Sequence, residues 1–273
     1  MGFSNVTLDE SLVSGATVNV ITWNIDHYPS DIFERVEVSI KTLSRYKPDI
    51  LLLQECSYEV ASVISRGLGL ALCSFSEHGE AVLSNMEVKS AGSSFLGDGR
   101  SAGISYAHLS ASCHDYLAVS AHFTWGGGRE SLRVGNSLEV DSLFTKYFEE
   151  YRGDNLIGIL GGDLNAEPNA DSVRFLRGEC VISDRSTLYT DLWGVGRDGG
   201  YTSSKDNPYA YRTAVNVGLR PDTVLTLPDR RIDYLFVKGY AYCKAGAAIS
   251  CELVGNVGEI SSDHYGVFAK LSC

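Results

Sequence analysis

The sequence is short of positive charge. Lys and Arg number 23 against 34 Asp and Glu in 273 residues, so the formal charge is −11. A protein that grips long nucleic acid by counterion release carries a basic face. Basic residues here are scattered, with only Arg230 and Arg231 adjacent. The balance argues against strong non-specific nucleic-acid affinity; it leaves room for a small basic groove or for a site whose positive charge is a divalent cation. Long apolar runs are missing too. Ile50 to Leu53 and the stretch from Leu156 to Leu160, broken by Gly158, are the longest aliphatic segments, and neither spans a bilayer. The N-terminal MGFSNVTLDESLVSG lacks the basic start and apolar block of a secretory signal. Val6 stands where myristoylation of Gly2 needs Ser or Thr, and Asn5-Val6-Thr7 is a glycosylation sequon only in a secreted chain. Seven scattered cysteines (56, 73, 113, 180, 243, 251, 273) form no CxxC pair. Free thiols in a reducing compartment are expected, hence a cytosolic or nuclear protein that is not secreted.

What is present is ordinary for a globular domain: 44% apolar and 21% charged residues, in a chain long enough to bury a sizeable core. Residues 1–16 read as a loose leader and 17–273 as one domain. From Val18 onward, strand and helix patterns alternate. VNVITWN sets Val18, Val20 and Thr22 against Asn19, Ile21 and Trp23. From about Asp31, Ile32, Val36, Ile40 and Leu43 share a helix face, which Pro48 ends. DILLLQ then reads as a buried strand. The order recurs. DYLAVSAHF is a strand, and Glu130 to Tyr151 is a helix striped by Val140, Leu143, Phe144, Tyr147, Phe148 and Tyr151. NLIGILGGD is the next buried strand. Further strands are expected near 80–85, 104–110, 232–237 and 265–271. Residues 194–229 form a long connection without clear periodicity, a length that is often functional. Two packed sheets with outer helices is the architecture these elements predict.

Polar residues fall where those strands end. Asn24 closes the first and Glu55 follows Leu51-Leu52-Leu53-Gln54. His122 closes DYLAVSAHF; Asp163 and Asn165 follow NLIGILGG; Asp263 and His264 precede YGVFAKL. Singly, each has an unremarkable explanation as a turn, cap or half-buried residue. Asp233 is harder to dismiss, because alternation in RIDYLFV puts it on an apolar face, where a charge needs a partner. Together, strand ends meeting on one edge assemble an all-oxygen site. Glu55 with Asn24, Asp163 and Asp263 suits a hard cation such as Mg2+ or Mn2+. Asp233 is placed to orient His264. Metal, carboxylates and histidines without a nucleophilic Ser or Cys motif point to metal-assisted hydrolysis by water.

TWNID (22–26), LLLQEC (51–56), SAHF (120–123), GGDLN (161–165), RIDYLF (231–236) and SSDHYGV (261–267) occur in the order found in the endonuclease/exonuclease/phosphatase superfamily. The chain resembles that superfamily from about residue 18 to 271. The resemblance implies a deoxyribonuclease I-like, four-layer α/β sandwich of two packed mixed β-sheets flanked by helices, and a metal-dependent phosphoester hydrolase. Position by position, it implies Glu55 as principal metal ligand, with Asn24 and Asp263 beside the ion or its waters. It implies that Asp163 and Asn165 hold the attacking water and a phosphate oxygen, with either Asp163 or His264 as general base. His122 would contact the phosphate or the leaving oxygen. Arg100 would lie on the phosphate side or form a surface ion pair, and Asn207 would bind substrate.

TWNID and SDHYG look most like the 5′-tyrosyl-DNA phosphodiesterase branch, whereas RIDYLFVKG and DGGYTSSKDNPYAY fit neutral sphingomyelinase-like members equally well. SAHFTWGGGRE departs from the first branch after the His. Three readings follow: a phosphodiesterase acting on a nucleic-acid end or tyrosyl adduct, a hydrolase of a phosphorylated small molecule or lipid headgroup, and an inactive binding module. Trp125, Trp193, Tyr201, Tyr209 and Tyr211 either stack on bases or pack the long connection onto the body. No membrane anchor and a monomer are expected.

Overall fold

The computed structural model describes residues 16–26, 31–97, 102–112, 114–151, 155–194, 199–216, 218–224, 226–239 and 246–273. Residues 1–15 of the expected leader and Arg100 lie outside these. Twelve strands and six helices are described. Sheet A has the order β11-β12-β1-β2-β4-β3, with β1 Thr17–Asn24, β2 Ile50–Gln54, β3 Ala71–Phe75, β4 Ala81–Ser84, β11 Ala248–Val254 and β12 Gly266–Ser272. Sheet B has the order β5-β6-β7-β8-β10-β9. Its strands are β5 Glu87–Phe95, β6 Gly103–Ser110, β7 Asp115–His122, β8 Leu156–Asp163, β9 Thr190–Asp191 and β10 Asp233–Lys238. Helices α1 Ile32–Ser44, α2 Tyr58–Leu68, α3 Glu130–Glu150, α4 Asp171–Leu176, α5 Pro208–Asn216 and α6 Pro221–Val224 complete the chain.

Three apolar layers make this a four-layer sandwich. Val20, Ile50 and Leu52 of sheet A meet Ala118, Ile159 and Leu235 of sheet B between the sheets. The opposite face of sheet A, with Ile21, Trp23, Leu51 and Leu53, takes Val36 and Leu43 of α1 and Val60 and Ile64 of α2. The outer face of sheet B takes Val140, Phe144 and Tyr147 of α3 and Phe175 of α4. Both faces of the central strands are therefore apolar, as buried parallel strands require. The alternation read in VNVITWN divides β1 between two cores, with Val18 and Val20 in one and Ile21 and Trp23 in the other.

The two strand–helix–strand units expected from the sequence form the centres of the two sheets. Strand β1 pairs parallel to β2, with Asn24 beside Gln54. Strand β7 pairs parallel to β8, with His122 beside Asp163. All four strands end on the same edge of the sandwich, which is where the polar residues gather. Between the sheets, the buried Gln54 donates from Nε2 to Ser120 Oγ at 2.9 Å, and Ser120 donates to Leu53 O at 2.6 Å.

Two expectations are corrected. The connection 194–229 is not featureless, since it contains α5 and α6. Helix α5 buries no residue fully; its start is fixed by Asn207, whose Oδ1 accepts from Tyr209 N at 2.9 Å. Nor are all the thiols free: Cys273 is disulfide-bonded, while Cys56, Cys73, Cys180 and Cys251 are free.

Glycine decides how closely the chains approach at the end of β8. A Cβ on Gly162 would sit 1.9 Å from Ala121 O, a backbone atom that cannot move independently. Gly162→Ala is expected to destabilise by about 3 kcal/mol or more, read from the denaturant midpoint. Gly135→Ala, in α3 with nothing within 4 Å of the added Cβ, is expected to stabilise by about 0.5–1 kcal/mol.

Candidate active site

Strand register brings the site together. His122, Asp163 and Asp233 form one row across β7, β8 and β10, because Asp163 is the register partner of both others. Glu55 is the first residue beyond β2 and leaves it in a left-handed conformation, φ +46°. Cys56 N is then held by Gly79 O at 2.9 Å. A side chain at Gly79 (φ +97°) would come within 3.0–3.1 Å of the Cys56 backbone. Asp26 and Asn165 also have positive φ, +51° and +50°. Such conformations are costly outside glycine and gather at functional sites.

Hydrogen bonds join the two sheets here. Asn24, fully buried, donates from Nδ2 to Glu55 Oε1 at 3.0 Å and to Asp163 Oδ2 at 3.2 Å, while its Oδ1 accepts from Asp26 N at 3.1 Å. Asp163 Oδ1 accepts from Asn165 N at 2.8 Å, and Asn165 Nδ2 donates to Phe123 O at 3.1 Å. Two imidazoles flank the other oxygen of Asp163: His122 Nε2 stands 3.7 Å and His264 Nε2 3.9 Å from Oδ2. His122 Nε2 is also 3.8 Å from Glu55 Oε1. On the far side of its ring, His264 Nδ1 meets Asp233 Oδ2 at 2.8 Å. The backbone of His264 is pinned by Ser262 Oγ, which accepts from its N–H, and by Trp23 Nε1, which donates to its carbonyl at 2.9 Å.

Charge follows from this geometry. Burial works against a charged His264, but the carboxylates of Asp233 and Asp163 outweigh it and hold its pKa well above the ordinary value. Burial presses the Asp233 carboxyl upward as well, so the pair holds one proton between Nδ1 and Oδ2. It rests on His264 because Asp163 adds a second negative charge beside that ring. The same contest raises His122: burial opposes its charge, and Asp163, Glu55 and Glu80 prevail. Asp26 is pushed up to about 7 by burial first and then by the charge of Asp263, with Glu55 adding to it and Arg35 opposing.

That crowding tests whether the site fits a hard cation. Asp263 and Glu55 both repel the Asp26 carboxylate, and Asp26 Oδ2 has no hydrogen-bond partner. The ligand-capable atoms of Glu55, His122 and Asp163 lie within 4.8 Å of one another, as do those of Asp163, Asp233 and His264. A donor set dominated by carboxylate oxygens under mutual repulsion is what a divalent cation relieves. The residues fit the group.

Of the residues singled out in the sequence, Asn24, Glu55, His122, Asp163, Asn165, Asp233 and His264 are connected by the contacts above. Asp263 adjoins through its repulsion of Asp26. Two have contacts that the sequence did not specify. Asn24, expected beside the ion or its waters, turns its amide nitrogen, a donor, toward the carboxylates and bridges them. Asn207 is buried and does not face the cluster: its Nδ2 donates to Ser262 O at 2.9 Å and its Oδ1 caps α5, so it supports the turn that carries His264. Sequence reasoning missed the supports. Thr202 Oγ1 accepts from Asp233 N at 3.1 Å and its carbonyl accepts from Tyr265 N at 2.7 Å. Buried Arg35 donates to Ser261 O at 2.6 Å and to Asp26 O at 2.5 Å, and stands 3.8 Å from the Asp26 carboxylate. Glu80, buried beside His122, is fixed by Ser76 Oγ at 2.5 Å. The signal available was a charged residue on an otherwise apolar helix face for Arg35, and Glu80 at the foot of a buried strand.

A two-sheet sandwich with this carboxylate and imidazole cluster at its parallel strand ends defines a phosphoester hydrolase of deoxyribonuclease I-like architecture. The chain belongs to the Endonuclease/Exonuclease/phosphatase family, whose model matches residues 21–264. No curated protein matches the sequence. Among solved structures it is similar to TDP2 from C. elegans, with TM-score 0.71 and 17% identity over 94% of this chain and 75% of that one. D. rerio TDP2 complexed with single-strand DNA product gives TM-score 0.70 and 16% identity, covering 94% and 100%. A mannosyl-6-phosphatase of Bacteroides thetaiotaomicron gives 0.64 and 17%, covering 93% and 99%. The family and fold expected from the six motifs are thus borne out.

If Asp233 is what keeps His264 protonated, Asp233→Asn must lower its pKa. In metal-free protein with EDTA present, the His264 ring is expected to titrate at least about one pH unit lower in the variant by NMR, a change worth roughly 1.4 kcal/mol. An unmoved titration would refute the assigned proton.

Proposed function

We propose that residues 17–273 form one catalytic domain, a Mg2+- or Mn2+-dependent phosphodiesterase in which water attacks phosphorus. The observation that carries this reading is the junction at Asn24, where Glu55 from one sheet and Asp163 from the other meet beside the imidazoles of His122 and His264. Glu55 and Asp263 would hold the ion. When bound, it supplies charge neutralisation for the phosphate and for the departing oxygen. Asp163 takes the proton of the attacking water as the oxygen–phosphorus bond forms. His264, kept protonated by Asp233, donates to a phosphoryl oxygen as charge develops there, and is therefore not the base. His122 donates to another phosphoryl oxygen or to the leaving oxygen. Asn165, locked by Asp163 and Phe123, orients the water and the phosphate. These fixed donors act without reorganisation, the arrangement that lowers the barrier most. A catalytically silent module is disfavoured because each position carries a competent group.

The favoured substrate is a nucleic-acid end or a 5′-tyrosyl-DNA-type adduct. Support comes from the similarity to a TDP2 structure with single-strand DNA product and from exposed aromatics at Tyr58, Trp125 and Tyr201. Similarity to the mannosyl-6-phosphatase favours a second reading, a phosphatase of a phosphorylated small molecule. Among the described residues no helix is long and apolar enough to cross a membrane. We keep a monomer as the proposed state. We keep a cytosolic or nuclear location as the proposed compartment: Cys56, Cys73, Cys180 and Cys251 are free, while Cys273 is bonded.

Glu55→Ala, Asp163→Ala and His264→Ala are each expected to lower kcat by about 100-fold or more, the loss of roughly 2.7–4 kcal/mol of barrier stabilisation, with the fold retained by circular dichroism. Activity on a panel of 5′-tyrosyl oligonucleotide, mannose 6-phosphate and sphingomyelin is expected to vanish with EDTA and return with Mg2+. A Glu55→Ala protein with full, EDTA-sensitive turnover would refute the metal assignment.

A further inference from the structure

One feature next to the cluster is not used by the phosphate chemistry. Trp125 follows His122 by three residues, so their Cα atoms are at most about 11 Å apart. Its side chain is 60% exposed, while Trp23 is buried and Trp193 half-buried. Exposure of so large an apolar ring is usually explained by a loose loop, yet this loop is fixed at its root. Phe123 N donates to Asp163 O at 2.9 Å, and Asn165 Nδ2 holds Phe123 O. Thr124 donates through both N and Oγ1 to Asn136 Oδ1, at 3.1 and 3.0 Å. Arg133 Nη1 donates to Thr124 O at 3.2 Å and to Gly126 O at 2.9 Å, with its Nε on Glu130 at 2.8 Å. The backbone on either side of Trp125 is therefore held by buried side chains of α3, and the ring is left outside.

What surrounds the ring is selective. The Arg129 guanidinium sits 5.6 Å from its centroid, within cation–π range. Gly126, Gly127 and Gly128 separate the two residues, and Cβ atoms added at Gly127 and Gly128 would meet nothing within 4 Å. The sequence thus keeps space beside an indole that is braced by a cation, in a protein short of positive charge.

We propose that Trp125 is a specificity-determining platform on which the nucleobase adjoining the scissile phosphate stacks, with Arg129 supporting the ring and facing the anionic backbone. This rests on the nucleic-acid-end reading and deepens it. Aromatic platforms accept any base, because every base has a π-face, and a cation beside them adds to the attraction. The platform acts in binding; it takes no part in bond making at phosphorus.

The test compares a 5′-tyrosyl oligonucleotide carrying a base on its terminal nucleotide with its counterpart abasic at that nucleotide. Trp125→Ala is expected to raise KM about tenfold on the first, leave kcat unchanged, and leave the abasic substrate unaffected. Trp125→Phe is expected to restore most of the affinity. In an Asp163→Ala background, the oligonucleotide is expected to quench indole fluorescence, and Trp125→Phe to abolish the quenching. Equal KM for wild type and Trp125→Ala on the base-bearing substrate overturns the platform while leaving the nucleic-acid reading intact. An equal rise on both substrates overturns it too, since it would mark a purely structural loop. A wild-type protein that hydrolyses mannose 6-phosphate and neither oligonucleotide overturns the reading and the platform together.

Discussion

The site depends on one buried amide. Asn24 Nδ2 donates at once to a carboxylate after β2 and to a carboxylate at the end of β8, and these belong to different sheets. Two carboxylates this close repel each other unless donors or cations lie between them. A shared amide donor, itself oriented by the Asp26 N–H, fixes their spacing before any ligand arrives. One layer deeper, Gln54 and Ser120 repeat the device with neutral partners. Buried polar groups are costly when unsatisfied, so these bridges lock the slide of one sheet over the other more sharply than apolar packing does.

Around that bridge, the protein concentrates negative charge and then sets cations in a particular order. The carboxylates facing His264 and His122 raise both imidazoles above their ordinary pKa against the opposing effect of burial, whereas burial first, and Asp263 next, push Asp26 upward. The acidic composition and the site's chemistry are thus connected. A chain with net charge −11 does not hold an anionic substrate by its global field; in our proposal it relies instead on local imidazolium, a divalent ion and an indole braced by Arg129. The outer parts of the molecule serve this arrangement. The first turns of α3 bury Arg133 and Asn136 where an amphipathic helix would put apolar residues, and both hold the loop that follows His122.

Much of this was legible along the chain. Asp233 stood out because a carboxylate in an alternating apolar strand demands a partner, and the partner is His264. Glu55, His122 and Asp163 stood out as polar residues closing apolar strands. The supports were harder to read. Thr202, Glu80 and Arg35 act through backbone carbonyls, backbone N–H groups and charges far away in sequence, and each has an unremarkable local reading as a loop threonine, a turn glutamate or a helix arginine. Asn207, expected to bind substrate, is buried and serves as a helix cap and a tie to Ser262.

Sequence alone determined the layers, since hydrophobic period is a local property: strands apolar on both faces must lie inside, and helices with one apolar stripe must lie outside. It also determined which residue types stand at the strand ends. Only the tertiary structure decided which of these ends meet, which way Asn24 turns its amide, and which ring carries the proton. Those outcomes depend on register between strands distant in sequence and on the summed field of several charges, and neither is encoded in any one segment.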